Sequence, residues 1–324
     1  MPYEIAIIDN KETNISVETG PLADIDANVV TTEATTPNEI VEAADGADVL
    51  IVDAGMPVTG EVLNELDSLK IVGRSGVGLD NIDISTAVDN DITVVHTPAY
   101  CIEEVSTHAL TLLLACARKL RQLDNSVRSG DWDWSVAVPL ERLAGQTLGL
   151  VAFGKIPRRL VEKVAGFDFN IVAYDPYVDA REMVDYGVSK VTFEELLSQS
   201  DMISVHAPLT PETSGLFDVD AFEQVKDDAV IVNTGRGGVL DESALYEALS
   251  EGRLRGVGLD VMAEEPPGES PLFELENVLV SPHTAWYSEQ SQEDAQEAVT
   301  RNIVEVLNGK SPDGVYDSTS EWLK

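Results

Sequence analysis

The feature that most constrains this chain is an alternation. Short runs rich in β-branched residues recur along it: EIAIID, DVLIVD, KIVGR, ITVVH, LGLVAF, NIVAYD, MISVH, AVIVN, GVGLD and VLVSPH. A helical pattern follows each in turn, and strands alternating with helices predict an α/β fold with parallel sheets covered on both faces. The runs fall into two groups, before and after about residue 100, and a length of 324 residues suits two domains. Between the groups, IEEVSTHALTLLLACARKL has the apolar spacing of a long, mostly buried helix. The segment RSGDWDWSVAVPL follows, and its two tryptophans fit a packing or subunit-contact arm better than a binding site.

Most of these runs end in a polar residue: Asp53, Arg74, His96, Asp175, His206, Asn233, Asp260 and His283. Ligands of open parallel sheets bind beyond the carboxyl ends of the strands. One such residue would mean little, but a row of them predicts a cleft.

Charge narrows the partners. There are 21 basic residues against 58 acidic, a net charge of −37, which excludes a basic nucleic-acid footprint and attraction to anionic lipid. The carboxylates are spread along the whole chain, which predicts a salt-rich cytoplasm, where screening shrinks to about 3 Å at 1 M salt. Two cysteines, Cys101 and Cys116, give neither a disulfide framework nor a C-x-x-C pair. The N-terminus MPYEIAIIDN lacks a basic leader region, and the longest apolar run, around residues 109–117, is too short to span a bilayer. The expectation is a soluble, cytoplasmic protein without membrane or nucleic-acid partners. No grouping of histidines and acids has metal-ligand spacing, so no metal is expected.

The stretch GLVAFGKIP, residues 149–157, sits where a dinucleotide-binding turn would read G-x-G-x-x-G, and its slots hold Ala152, Gly154 and Pro157. Gly154 keeps the middle role, close approach of backbone to a pyrophosphate. Ala152 can open the turn if its φ is negative. With a helix starting near Lys155, Pro157 falls in the first turn, where N–H groups lack intrahelical partners anyway. Asp175 then closes the next strand about 20 residues on, where an acid takes ribose hydroxyls, and no arginine follows it, which favours NAD over NADP. Alone, this turn is a weak signal. With the strand before it, the helix after it and Asp175 in place, Phe153, Gly154, Lys155 and Ile156 become a candidate cofactor cradle.

Four ordered motifs, GRSGVGLDNID (73–83), VNTGRGGVLDE (232–242), GLDVMAEEP (258–266) and SPHTAWYSEQ (281–290), resemble those of the D-isomer-specific 2-hydroxyacid dehydrogenase family. Trp286 and Tyr287 after the histidine are most similar to its C-terminal-binding-protein branch. The resemblance implies two Rossmann-like domains: a flavodoxin-like substrate domain of residues 1–100 and 285–324, and an NAD-binding domain of residues 101–284 inserted within it. It also implies a homodimer. On matching positions, Arg236 would clamp the substrate carboxylate and carbonyl oxygen, His283 would be the acid/base, and Glu265 its carboxylate partner. Arg74 with Ser75, Gly76 and Val77 would form a second carboxylate-holding site. Asp260 would meet the nicotinamide carboxamide, and His206, Pro208, Thr213, Asn233 and Thr234 would line the cofactor. Trp286 would line the substrate pocket. Ala152 and Pro157 depart from the family pattern.

The chemistry accounts for these residue types. Reducing a 2-oxo acid builds negative charge on the carbonyl oxygen, which calls for a fixed cation, and a guanidinium fork can also grip the carboxylate. The oxygen needs a proton from a group that titrates near neutrality, which points to histidine, with a carboxylate beside it to stabilise the imidazolium and fix the ring. Spacing alone does not choose His283 over His96 or His206, which also end strands; the motif does. His108, on the long helix, reads as structural. The expected function is an NAD-dependent D-2-hydroxyacid dehydrogenase acting as a 2-oxo acid reductase. D-3-phosphoglycerate oxidation and a non-catalytic NAD(H)-sensing module, as in corepressors, are the alternatives.

Overall fold

The computed structural model describes residues 1–8 and 19–317. Residues 9–18 and 318–324, parts of the first domain expected above, lie outside the described residues. The described residues form two compact units, one of Met1–Cys101 with the segment that starts at Tyr287, the other of Ile102–Trp286.

The first unit is built on β1 (Tyr3–Ile8), β2 (Ala27–Thr32), β3 (Val49–Val52), β4 (Ile71–Arg74) and β5 (Thr93–Val95), paired in parallel in the order β2-β1-β3-β4-β5. That order is flavodoxin-like. Its central strands are apolar at consecutive positions because side chains alternate faces and both faces are covered. Ala6, Ile8, Leu50 and Val52 pack on one side with Ile40 and Leu63; Ile5, Ile7, Val49 and Ile51 pack on the other with Val299 and Ile303 of the helix Glu289–Leu307. Each crossover helix opens on a side-chain cap: Thr36 for Pro37–Ala44, Thr59 for Gly60–Glu65 and Asp83 for Ile84–Asp89. The C-terminal segment closes the β5 edge, with Tyr316 N–H donating to Val94 O at 2.9 Å and His96 N–H to Gly314 O at 2.7 Å.

The second unit has seven parallel strands: β6 (Thr147–Val151), β7 (Asn170–Tyr174), β8 (Ser189–Lys190), β9 (Met202–Val205), β10 (Ala229–Asn233), β11 (Leu254–Leu259) and β12 (Val278–Val280). Their order is β12-β11-β10-β9-β6-β7-β8, so the direction of winding reverses between β6 and β9. A doubly wound sheet opens its ligand crevice at such a reversal. The long helix Ile102–Ala117 lays Ala109, Leu112, Leu113 and Cys116 against this sheet.

Two strands were not expected from the sequence. β2 and β8 are both sheet edges, and most of their residues are exposed, so neither carries the apolar run that marks the others.

The β6 turn corrects one expectation. Ala152 has a φ of +74°, in the left-handed region rather than at negative φ. The strands impose this: Ala152 N–H donates to Tyr174 O at 2.8 Å and Phe153 N–H to the Asp175 carboxylate at 2.8 Å, which forces the chain to turn sharply before Gly154 caps the helix Lys155–Lys163. Pro157 lies buried in that helix's first turn, as its spacing predicts. Left-handed backbone costs an L-residue roughly 1–2 kcal/mol that glycine avoids. Ala152→Gly is therefore expected to raise unfolding stability by about 0.5–1 kcal/mol, net of glycine's greater freedom when unfolded, read as an increased denaturation midpoint. A lower midpoint would mean that the alanine methyl contributes more than the strain costs.

Candidate active site

The loops at the carboxyl ends of β6, β7 and β9 to β12 bring together most of the second unit's candidate residues. Gly154 has open space where a Cβ would stand, so a ligand can approach its backbone closely. The amides of Lys155 and Ile156 open the nine-residue helix Lys155–Lys163 and lack intrahelical partners. Asp175, only 8% exposed, accepts N–H bonds from Phe153 at 2.8 Å, Tyr177 at 2.9 Å and Val178 at 3.2 Å. A carboxylate offers about four acceptor sites, so these bonds fix its position and leave room for a hydroxyl ligand. Open backbone at a helix N-terminus and an anchored acid across from it fit a dinucleotide.

Beyond the reversal point, the His206 imidazole sits between β9 and β10, its Nε2 2.8 Å from Ser204 Oγ and its Nδ1 3.2 Å from Thr234 Oγ1. The residue is half-buried, and loss of hydration pushes its pKa down to about 3. His206 is thus a neutral hydrogen-bonding group, unsuited to acid/base work near neutrality. In the adjoining loop, Thr213 Oγ1 donates to Pro208 O at 2.5 Å, which holds residues 208–213 in a tight turn.

Arg236 is set by its neighbours. Asn233, 1% exposed at the end of β10, accepts from Gly235 N–H and donates to Arg236 O, both at 2.9 Å. A Cβ on Gly237 would lie 1.9 Å from the Met262 carbonyl carbon, so only glycine lets this turn rest on the one that carries Glu265. There, Glu265 Oε1 accepts from Met262 N–H at 3.0 Å and Oε2 meets His283 Nδ1 at 2.6 Å. His283 and Glu265 both remain accessible to solvent, and Trp286 Nε1–H donates to His283 O at 2.9 Å. Arg236, Glu265 and His283 therefore belong to one network of adjoining turns.

In the first unit, Arg74 ends β4, and its guanidinium folds over Gly76, where a Cβ would fall 1.7 Å from Nη1. The Ser75 amide donates to Val52 O and the Gly76 amide to Arg74 O, each at 2.9 Å. Among the described residues, no group of three His, Cys, Asp or Glu could hold a metal ion, and no helix is long and apolar enough to cross a membrane.

The family model for the D-isomer specific 2-hydroxyacid dehydrogenase NAD binding domain matches residues 110–285. The chain belongs to that family. As a member, it is 39% identical over 283 residues to the D-3-phosphoglycerate dehydrogenase of Methanocaldococcus jannaschii, covering 87% of this chain and 54% of that protein. It thus spans about half the length of that relative. It is 37% identical to the hydroxypyruvate reductase of Thermotoga maritima, covering 86% of this chain and 89% of the relative. The crystal structure of the Aquifex aeolicus D-lactate dehydrogenase complexed with NAD and lactic acid superposes with a TM-score of 0.82 at 26% identity, covering 94% of this chain and 96% of that one. The second unit is accordingly an NAD-binding Rossmann domain.

Because folded His206 resists protonation while the unfolded chain accepts a proton near the ordinary value of 6.5, stability is present above that value and lost as pH falls toward about 3. Between pH 6.5 and 5, this group should cost the native protein up to about 1.4 kcal/mol per pH unit. Denaturant titrations of His206→Gln should show a correspondingly flatter dependence; identical slopes would contradict the burial of this ring.

Proposed function

We propose that the chain is a cytoplasmic, NAD-dependent 2-oxo acid reductase, a D-2-hydroxyacid dehydrogenase, with His283 as acid/base. The observation that carries this reading is the 2.6 Å contact between His283 Nδ1 and Glu265 Oε2, on turns packed beside that of Arg236. An ionised carboxylate only accepts, so Glu265 takes the Nδ1–H bond and leaves Nε2 as the nitrogen that exchanges a proton with substrate. Bound NAD(H) would supply or accept the hydride. The cradle for it consists of Phe153, Gly154, Lys155, Ile156 and Asp175, with His206, Pro208, Thr213, Asn233, Thr234 and Asp260 along its length. In the reducing direction, Arg236 steadies the carbonyl oxygen as negative charge builds there, and His283 Nε2–H gives that oxygen its proton. In oxidation, the neutral ring takes the hydroxyl proton. Residues 1–100 and 285–324 serve as the substrate domain, where Arg74 and the Val77 amide hold the carboxylate and Trp286 bounds the side chain.

Similarity to phosphoglycerate dehydrogenases supports a second reading, oxidation of a phosphorylated hydroxy acid. The charges of the first unit favour an unphosphorylated substrate. Val52 pairs with Arg74 in register, so Asp53 follows at the end of the strand beside Arg74. The other described cations of that unit are already paired: Lys70 with Asp48 at 2.7 Å, Arg301 with Glu297, and Lys310 with Glu305 at 3.5 Å. A phosphate would bring about two more negative charges to a unit in which the described lysines and arginines other than Arg74 each lie beside an acid.

A homodimer is supported by an apolar arm. Trp132 and Trp134 are 83% and 76% exposed, and Leu120, Val127, Val136 and Val138 are exposed beside them in sequence. The net charge of −37 supports a salt-rich cytoplasm, where screening offsets repulsion of an anionic substrate and cofactor.

In molar KCl, NADH oxidation should proceed with unphosphorylated 2-oxo acids and more slowly with 3-phosphohydroxypyruvate, and it should fall steeply in dilute buffer. His283→Ala should lower kcat by about 10²- to 10⁴-fold while NADH affinity stays within a few-fold. NADH binding without turnover of any 2-oxo acid would overturn this reading in favour of an NAD(H)-sensing module. Preference for the phosphorylated acid would select the second reading.

A further inference from the structure

The catalytic turn is tied to a histidine that the mechanism does not use. His108, on the helix Ile102–Ala117, places Nε2 2.8 Å from Ser281 Oγ, and Ser281 Oγ–H donates to Asp260 Oδ1 at 2.6 Å. Serine has one hydroxyl proton, and an ionised Asp260 can only accept it. Ser281 Oγ must therefore accept from His108, which assigns the His108 proton to Nε2. Asp260 is 1% exposed, and its remaining partners are Thr284 N–H on Oδ1 at 3.0 Å and Ala285 N–H on Oδ2 at 2.9 Å. His108 Nε2 itself lies 3.6 Å from Oδ1.

These bonds bracket His283. Its own N–H donates to Asp260 O at 2.8 Å and to Ser281 O at 3.0 Å, and its φ is +49°, a left-handed conformation uncommon outside glycine, though histidine enters it more readily than most residues. Those two carbonyls hold His283 directly, and the Asp260 carboxylate holds the residues on either side of it, Ser281 through its hydroxyl and Thr284 and Ala285 through their amides. A buried carboxylate loses much of its hydration and needs a full set of donors to remain ionised. The Ser281 hydroxyl can be one of those donors in a fixed direction only while its oxygen is held by His108.

We infer that His108 is a positioning residue for the reaction: through Ser281 it fixes the Asp260 carboxylate and with it the strained turn that aims His283 at the substrate. This rests on the acid/base role proposed above for His283. Without the Nε2–H donor the turn can relax, and His283 drifts from Glu265 and from the substrate oxygen.

The test is a double-mutant cycle on the intact protein with NADH and a 2-oxo acid that wild type turns over. His108→Leu should lower kcat by about 10- to 100-fold with KM values for both substrates changed less than about threefold, since the loss is one of orientation. Ser281→Ala should do the same, and the double variant should lose no more than either single one. His108→Gln, whose Nε2 can reach Ser281, should recover most of the rate. Independently of turnover, ¹⁵N-histidine NMR of a chain with four histidines should show the His283 Nδ1–H signal altered in His108→Leu and restored in His108→Gln. Additive losses, no recovery with glutamine, or kcat within twofold of wild type in folded His108→Leu would each overturn the inference. Where His108→Leu does not fold, unchanged kcat in Ser281→Ala overturns it alone. Absence of turnover by wild type would instead count against the proposed function, and the NMR comparison would still decide the role of His108.

Discussion

The buried carboxylate of Asp260 is the constraint on which the second unit's chemistry depends. It ends β11 almost without solvent, so its charge is tolerable only where donors surround it. Three of those donors, Ser281 Oγ and the amides of Thr284 and Ala285, come from the one turn that presents His283. Electrostatic need at one residue thus becomes geometric order at another. The same turn receives a side-chain bond from Trp286 and faces Glu265, whose other oxygen is pinned by the Met262 amide. Neither member of the His283–Glu265 pair is free to choose its orientation, which is how a partly exposed pair keeps a productive geometry.

Strain marks both ends of the expected cofactor path. Ala152 at the β6 turn and His283 beyond β12 are both non-glycine residues with positive φ, and each is held by bonds to a strand-end aspartate or its neighbour: Phe153 to Asp175 in one case, His283 to Asp260 in the other. A rigid parallel sheet sets the positions of these aspartates, and the loops bend to meet them. Such over-determined positions are where stored strain persists in folded proteins.

Much of this architecture was legible in the sequence. Central strands were visible because burial on two faces demands continuous apolar runs, and the polar residues that end them sit along the strand ends. Edge strands β2 and β8 were not, since exposure of most of their residues removes that signal. Pro157 could be placed from helix-terminus physics, whereas the φ of Ala152 could not, because strand pairing rather than the residue decides it. Arg236, Glu265 and His283 were singled out through motif resemblance, but the contact of Gly237 with Met262 that joins their turns is a long-range packing fact. His108 read as a structural helix residue because its partner, Ser281, lies 173 positions away. Ser281 stands two residues before His283, and a hydroxyl so placed was the one available hint.

On the proposed function, this chain moves a hydride to C2 of a 2-oxo acid while His283 supplies the proton. The most direct measurement uses NADH deuterated at both C4 positions, an unphosphorylated 2-oxo acid and molar KCl, with analysis of the product by mass and by chirality. One deuterium bound at C2 of a D-2-hydroxy acid is expected. An L-product, or a reduced product without deuterium at C2, would contradict it.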